Sequence, residues 1–185
     1  LYSFLSLNKV LYIYQFGFRN GHSTILTLTE IIDNIREELD KGNTVLGIYL
    51  DLSKAFDVVN HNILLKKLEH CGVRGVALEW FRNYLSSRKQ VTFVNDVLSK
   101  ELQINTGVPQ GSILGPLLFL IYTNDISYCD DTALLRLFAD DTNVFVTGQN
   151  VEEVVIKANS VINKLSAWFK YNKLTLNLDK TCYSI

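Results

Sequence analysis

Methionine is missing from all 185 residues, so no native start lies within the sequence. The chain opens inside an apolar, helix-like run (residues 1–14, LYSFLSLNKVLYIY) and ends on CYSI, and it is expected to be a piece of a larger polypeptide. No signal peptide is expected, and the most apolar run, Ile113 to Tyr122, is too short to span a bilayer. Three cysteines, Cys71, Cys129 and Cys182, are odd in number and form no C-x-x-C pair. They fit reduced intracellular thiols better than a disulfide framework or a zinc site. The expected compartment is therefore intracellular, nucleus or cytoplasm, and not secreted. Charge of one sign is also lacking: 18 basic against 19 acidic residues give a net charge of −1. Any basic surface must be local. There is no internal repeat and no low-complexity linker.

What is present is enough apolar sequence, 48%, for one globular domain or two lobes sharing a core. Ile25, Leu28, Ile32, Ile35 and Leu39 recur at helical spacing over 24–40, with Gly42 as a stop. TVLGIYLDL (44–52) reads as a strand ending on Asp51. Helices are predicted over 62–70, 76–86, 112–126 and 151–171, and a hairpin over 88–104 around Asn95-Asp96. TGVPQGS (106–112) is a loop, and LTLNLD (174–179) alternates as a strand.

The stretch LFADDTNVF (137–145) sets Asp140 and Asp141 side by side where a hairpin should turn. Two unit charges ~4 Å apart repel by ~4 kcal/mol at an effective dielectric of 20. With 71–108 set aside, the order is β, α, β, β, α, β, a split β-α-β pattern of ferredoxin-like type. Asp51 is expected on a strand paired with 134–139, facing Asp140, with Asp141 at the turn. Three converging carboxylates require a cation. Magnesium takes hard oxygen ligands, and two such ions stabilise the attacking and leaving oxygens of a phosphoryl displacement. Solvated turn aspartates are the plainer alternative.

Four segments in order then resemble the palm motifs of reverse transcriptases: YLDLSKAFDVVNH (49–61), TGVPQGSILGPLLF (106–119), LFADDTN (137–143) and NKLTLNLDKT (172–181). With QFGFRNGHST (15–24) upstream, the chain is similar to the non-LTR (LINE-type) retrotransposon branch. The resemblance implies an α+β fingers-palm core with an antiparallel, ferredoxin-like palm sheet flanked by helices. Fingers would fall at about 1–43 and 71–108 and palm at about 44–70 and 109–185, with thumb and upstream fingers segment absent.

The activity implied is RNA-directed DNA polymerisation, adding dNTPs to a primer 3′-OH with two Mg²⁺ ions, Mn²⁺ being a possible substitute. Partners would be RNA template, DNA primer, dNTP and further domains of the same polyprotein, a thumb and an endonuclease among them. Asp51, Asp140 and Asp141 would be the metal ligands, and Lys180 would protonate the pyrophosphate leaving group. The backbone at Leu52 and Ser53 would lie near the triphosphate, and Phe56 would block a ribose 2′-OH. Pro109, Gln110 and Gly111 would pack the nucleotide and template base, and Arg19 would contact template or phosphate.

Plainer readings stand beside these. Phe56 also fits a core aromatic, Gly107 and Gly111 a mere turn, Lys180 a solvated strand end and Arg19 a solvated loop. Asp57 reads as a helix N-cap and His61 as local packing. The rival function is a catalytically inactive nucleic-acid-binding remnant, since ferredoxin-like sheets also bind RNA. A cyclase or primase is disfavoured by the TGVPQGS loop.

Overall fold

A computed structural model describes residues 1–86 and 88–185. In chain order these form α1 (Tyr2–Leu7), α2 (Thr24–Asp40), β1 (Thr44–Leu50), α3 (His61–His70) and α4 (Val76–Leu85). Four short strands follow: β2 (Arg88–Gln90), β3 (Phe93–Val94), β4 (Val97–Leu98) and β5 (Leu102–Ile104). Then come α5 (Leu114–Thr123), a 3-10 turn (Asn124–Tyr128), β6 (Leu134–Phe138), β7 (Asp141–Gly148), α6 (Val151–Tyr171) and β8 (Cys182–Ser184).

The main sheet is antiparallel with order β6-β7-β1-β8. Counting its strands alone, that is fourth-first-third-second, the ferredoxin-like order. On one face Leu46, Ile48, Leu50, Leu135, Leu137, Val144 and Val146 are buried against the helices. α6 presents Val154, Ala158, Val161, Leu165 and Phe169 at helical spacing to the same core. Its N-terminus is fixed from both sides: Asn150 Oδ1 accepts from the Glu153 N–H at 2.9 Å, and Glu153 Oε2 accepts from the Gln149 N–H at 2.8 Å. From Leu117 to Tyr122 the run is apolar on every side because this part of α5 is buried on every side, with Leu118, Phe119 and Tyr122 fully enclosed, whereas Ile113 just before the helix is exposed. Pro116 sits in its first turn, where an N–H has no helical acceptor to lose. The sheet's other face carries Tyr49, Arg136, Asn143 and Phe145, and α2 packs across it.

Four expectations are corrected. The run 1–14 is helical only at Tyr2–Leu7. Beyond it the chain extends along the outer edge of β6, where the Leu137 N–H donates to Tyr14 O (2.9 Å) and the Phe16 N–H to Leu137 O (2.8 Å), a parallel bridge. β1 pairs with β7, not with β6, because the ferredoxin-like order inserts the hairpin's second strand between them. LTLNLD is not a strand: only Leu176 bridges, to Leu52, and the chain turns at 178–180 before β8 supplies the fourth strand. Asn60, not Asp57, caps α3, its side chain accepting from the Ile63 N–H at 3.1 Å.

The hairpin over 88–104 forms as expected. Phe93 pairs with Leu98 and Val94 with Val97, and Asn95 and Asp96 both adopt positive φ (49° and 59°). Two consecutive left-handed residues make a type I′ turn.

Candidate active site

The register of β1 on β7 builds the site. Leu50 lies opposite Thr142, so one step further Asp51 lies across from Asp141. Alternation puts Tyr49 and Asp51, and Asp141 and Asn143, on one face. All four line a cleft of about 560 Å³ closed on its far side by Thr24, Thr27, Leu28, Ile31, Ile32 and Ile35 of α2. Ser23 starts that wall, its hydroxyl accepting from the Leu26 N–H at 3.1 Å.

Phe138 pairs with Asp141, which leaves Ala139 and Asp140 as a two-residue loop. Ala139 has φ 58° and Asp140 does not share the positive sign, the pattern of a type II′ turn whose first central position favours glycine. The two aspartates are thus separated in role: Asp140 sits on the turn, and Asp141 is the first residue of β7. This reverses the expectation that Asp141 holds the turn while Asp140 faces Asp51.

The carboxyl of Asp141 is raised above its ordinary pKa by partial desolvation, by the charge of Asp140 and by that of Asp51, with Lys180 pulling the other way. Lys180 also lines the cleft, its ammonium 3.8 Å from Asp51 Oδ2. The Asp51 carbonyl accepts from the Asn177 N–H at 2.9 Å and the Ser53 N–H donates to Thr175 O at 2.8 Å. These bonds bring Lys180 beside Asp51 without a continuous strand. Among the described residues no three His, Cys, Asp or Glu side chains stand close enough together to hold an ion as they are. The donor chemistry nonetheless fits one: three hard carboxylates, two of them acting electrostatically on the third, with a single lysine as counter-charge.

The other predicted residues lie apart from this cleft. Leu52 is buried. Phe56 is half-buried, stacked on Phe119 (centroids 4.5 Å apart) and edge-on to Phe18, and does not line the cleft. Pro109 and Gln110 line a second, polar cleft with Asp57, Arg88 and Gln90. There Gln110 Nε2 donates to Asp57 Oδ1 at 3.1 Å, and the adjacent Gly111 takes φ 78°. His61 Nε2 lies 2.8 Å from Gly107 O, tying α3 to the same loop. Arg19 turns inward, Nη1 donating to the carbonyls of Tyr12 (2.8 Å) and Gln15 (3.1 Å).

The sequence points to no site role for Tyr49, Asn143, Gln15 or the α2 wall, whose Leu28, Ile32 and Ile35 read only as a helical stripe. Gln15 shares the QFGFRNGHST segment with Arg19. The available signal is a polar residue between two aromatics, Tyr14-Gln15-Phe16, since such a group requires partners once buried.

A family profile described as reverse transcriptase (RNA-dependent DNA polymerase) matches residues 5–185. The probable RNA-directed DNA polymerase from transposon BS of Drosophila melanogaster is 31% identical over 96% of this chain and 20% of its own length. The RNA-directed DNA polymerase from mobile element jockey of the same organism is 26% identical over 94% of this chain and 20% of its own. The chain thus spans about a fifth of the length of these curated relatives. Among solved structures, apo telomerase from Candida tropicalis superposes with a TM-score of 0.70 at 16% identity, covering 98% of this chain and 35% of that one. Telomerase from Candida albicans, in complex with a fragment of telomeric RNA, gives 0.68 at 16% identity over 99% and 33%. At that identity the likeness is one of fold.

Proposed function

The chain belongs to the reverse transcriptase family, and from that premise we propose that it is the fingers-palm core of a non-LTR retrotransposon's RNA-directed DNA polymerase. The primer 3′-oxygen attacks the α-phosphorus of a dNTP paired to an RNA template. A new O–P bond forms as the 3′-hydroxyl gives up its proton to solvent, and the bond to pyrophosphate breaks. The observation that carries this reading is the meeting of Asp51 and Asp141 in one cleft, with Asp140 on the adjoining turn. A nucleic-acid-binding remnant has no use for three repelling carboxylates there.

Asp51, Asp140 and Asp141 would hold two Mg²⁺ ions, or Mn²⁺ in their place. Bound metal supplies charge neutralisation for an in-line phosphoryl displacement. The rest falls to the chain. Tyr49 and Asn143 floor the cleft and α2 walls it, restricting where a primer end can sit. Lys180, beside Asp51, is the proton source for departing pyrophosphate. Phe56 screens the ribose 2′ position, the backbone at Leu52 and Ser53 approaches the triphosphate, and Pro109, Gln110 and Gly111 pack the nascent pair. Arg19 serves template binding only through the loop it folds. The fingers comprise about 1–43 and 71–108 and the palm about 44–70 and 109–185, with a thumb and endonuclease supplied elsewhere in the parent. Nucleus or cytoplasm is the compartment; among the described residues no helix is long and apolar enough to cross a membrane.

Primer extension on an RNA template by the full-length protein tests this. Asp51→Asn and Asp140→Asn should each lower the rate by at least ~10²–10³-fold, the scale on which removing one preorganised electrostatic partner acts, while primer-template affinity stays within a few-fold. Binding without extension by the unaltered protein favours the remnant.

A further inference from the structure

Gln15 is 2% exposed and lies 124 residues from Ala139, yet its carboxamide reaches both polar groups of that residue. Gln15 Oε1 accepts from the Ala139 N–H at 3.1 Å, and Gln15 Nε2 donates to the Ala139 carbonyl at 3.3 Å. The same Oε1 accepts from the Gly17 N–H at 2.8 Å, which fixes the amide's orientation. Main-chain bonds on either side, Tyr14 O with the Leu137 N–H and Leu137 O with the Phe16 N–H, leave the side chain little freedom to slide. Gly17 completes the clamp: a Cβ there would stand 2.1 Å from the Ala139 nitrogen.

Ala139 is the residue that needs holding. It occupies the glycine-favouring position of the turn at φ 58°, a conformation that an L-alanine adopts only when its surroundings impose it. Asp140 follows directly and takes its direction from that peptide. A two-residue hairpin loop has no other backbone bond to fix the Ala139–Asp140 unit beyond the closing pair.

We propose that Gln15 is a positioning residue for the polymerase reaction. It imposes the strained turn at Ala139 and thereby aims the carboxylate of Asp140. This rests on the polymerase reading. The glutamine contacts no reacting atom; it acts through one peptide group. The FADD segment would then keep alanine because the clamp, not the turn residue, sets the conformation.

The test uses the full-length protein with Gln15→Leu, Gln15→Glu and Ala139→Gly. Leucine removes both bonds at similar volume, whereas glutamate keeps the acceptor for the Ala139 and Gly17 amides. Amide exchange at Ala139 should quicken at least tenfold in Gln15→Leu and stay near normal in Gln15→Glu. The extension kcat should fall about 10–100-fold in Gln15→Leu, the scale of a small misplacement, with KM for dNTP within twofold. Ala139→Gly, which adopts the turn unaided, should restore at least half of the logarithmic loss in the double variant. Unchanged kcat in Gln15→Leu overturns the proposal, as does a loss that tracks thermal stability and is not relieved by Ala139→Gly. If the unaltered protein extends no primer, the polymerase reading fails instead, and fast exchange in Gln15→Leu would still report the clamp. Should Gln15→Leu fail to fold, Gln15→Glu decides: slow exchange with normal kcat supports the clamp, and fast exchange with normal kcat overturns it.

Discussion

Arg136 on β6 and Glu30 on α2 are joined by a forked ion pair, Nε to Oε2 and Nη2 to Oε1 at 2.6 Å, with the guanidinium 3.7 Å from the ring centroid of Tyr14. The arginine is 2% exposed. This pair fastens the α2 wall to the sheet, so the cleft's width depends on it. Removing one partner of a buried pair strands the other charge. Glu30→Ala should therefore cost about 3 kcal/mol, the lower end of the usual range because the Glu30 side chain retains 26% exposure. Urea denaturation reads the loss, and the double variant Glu30→Leu with Arg136→Met should recover most of it. A double variant no better than the single one would show that the pair itself, not the stranded charge, stabilises the fold.

The raised carboxyl of Asp141 sets a sign for pH dependence. A folded-state pKa above the unfolded value favours the protonated form, so the associated stability is present below the ordinary value of 3.8 and is lost as pH rises through the raised one. Asp141→Asn should match the unaltered protein in strong acid and become more stable as pH climbs. The gain should stay within about 1 kcal/mol at neutral pH, because solvent screens this exposed site. Millimolar Mg²⁺ should narrow the gap from the wild-type side. A variant less stable at neutral pH would show that Asp141 carries a favourable contact.

Phe56 is packed before it is anything else. Phe56→Val should lower stability by about 1–2 kcal/mol, since it deletes a half-buried ring from the stack on Phe119. In the full-length protein it should also raise incorporation of ribonucleotides relative to deoxynucleotides. Lost stability with unchanged sugar preference would confine Phe56 to packing.

Gly17→Ala forces a Cβ onto the Ala139 peptide, with backbone on both sides of the clash. The expected cost is about 1–3 kcal/mol, the usual range for overpacking, together with faster amide exchange at Ala139. Retained stability and slow exchange would mean that the 15–17 segment can move aside without disturbing the turn.

Helical periodicity made α6 legible to its bounds, because a stripe of five apolar residues on a 21-residue helix has only one reading. The Asn95-Asp96 turn was equally plain from its chemistry. Strand order was not legible. Alternation says that a strand has two faces but not which strand lies beside it, so it cannot tell that Asp51 faces β7 and not β6. β8 escaped because all three of its residues are exposed and leave no pattern to find, whereas Leu174–Asp179 alternates yet forms a bridge and a turn. Asp51, Asp140 and Asp141 were visible as types in their segments. Gln15 was not, because its partner is a backbone group 124 positions away.

The sheet order also bears on how the chain comes to be folded. β1 is one of the two inner strands and the earliest made, yet β7 and β8, which flank it, are separated from it by about ninety residues or more. At ~5–20 residues per second, the ribosome delivers β7 roughly 5–18 s after β1. During that interval the apolar segment TVLGIYL has neither neighbour, and both its hydrogen-bonding edges stay open to other nascent chains. Productive synthesis of this core therefore depends on shielding one seven-residue segment for several seconds, and slowing translation between β1 and β6 should lower soluble yield more than slowing it after β8.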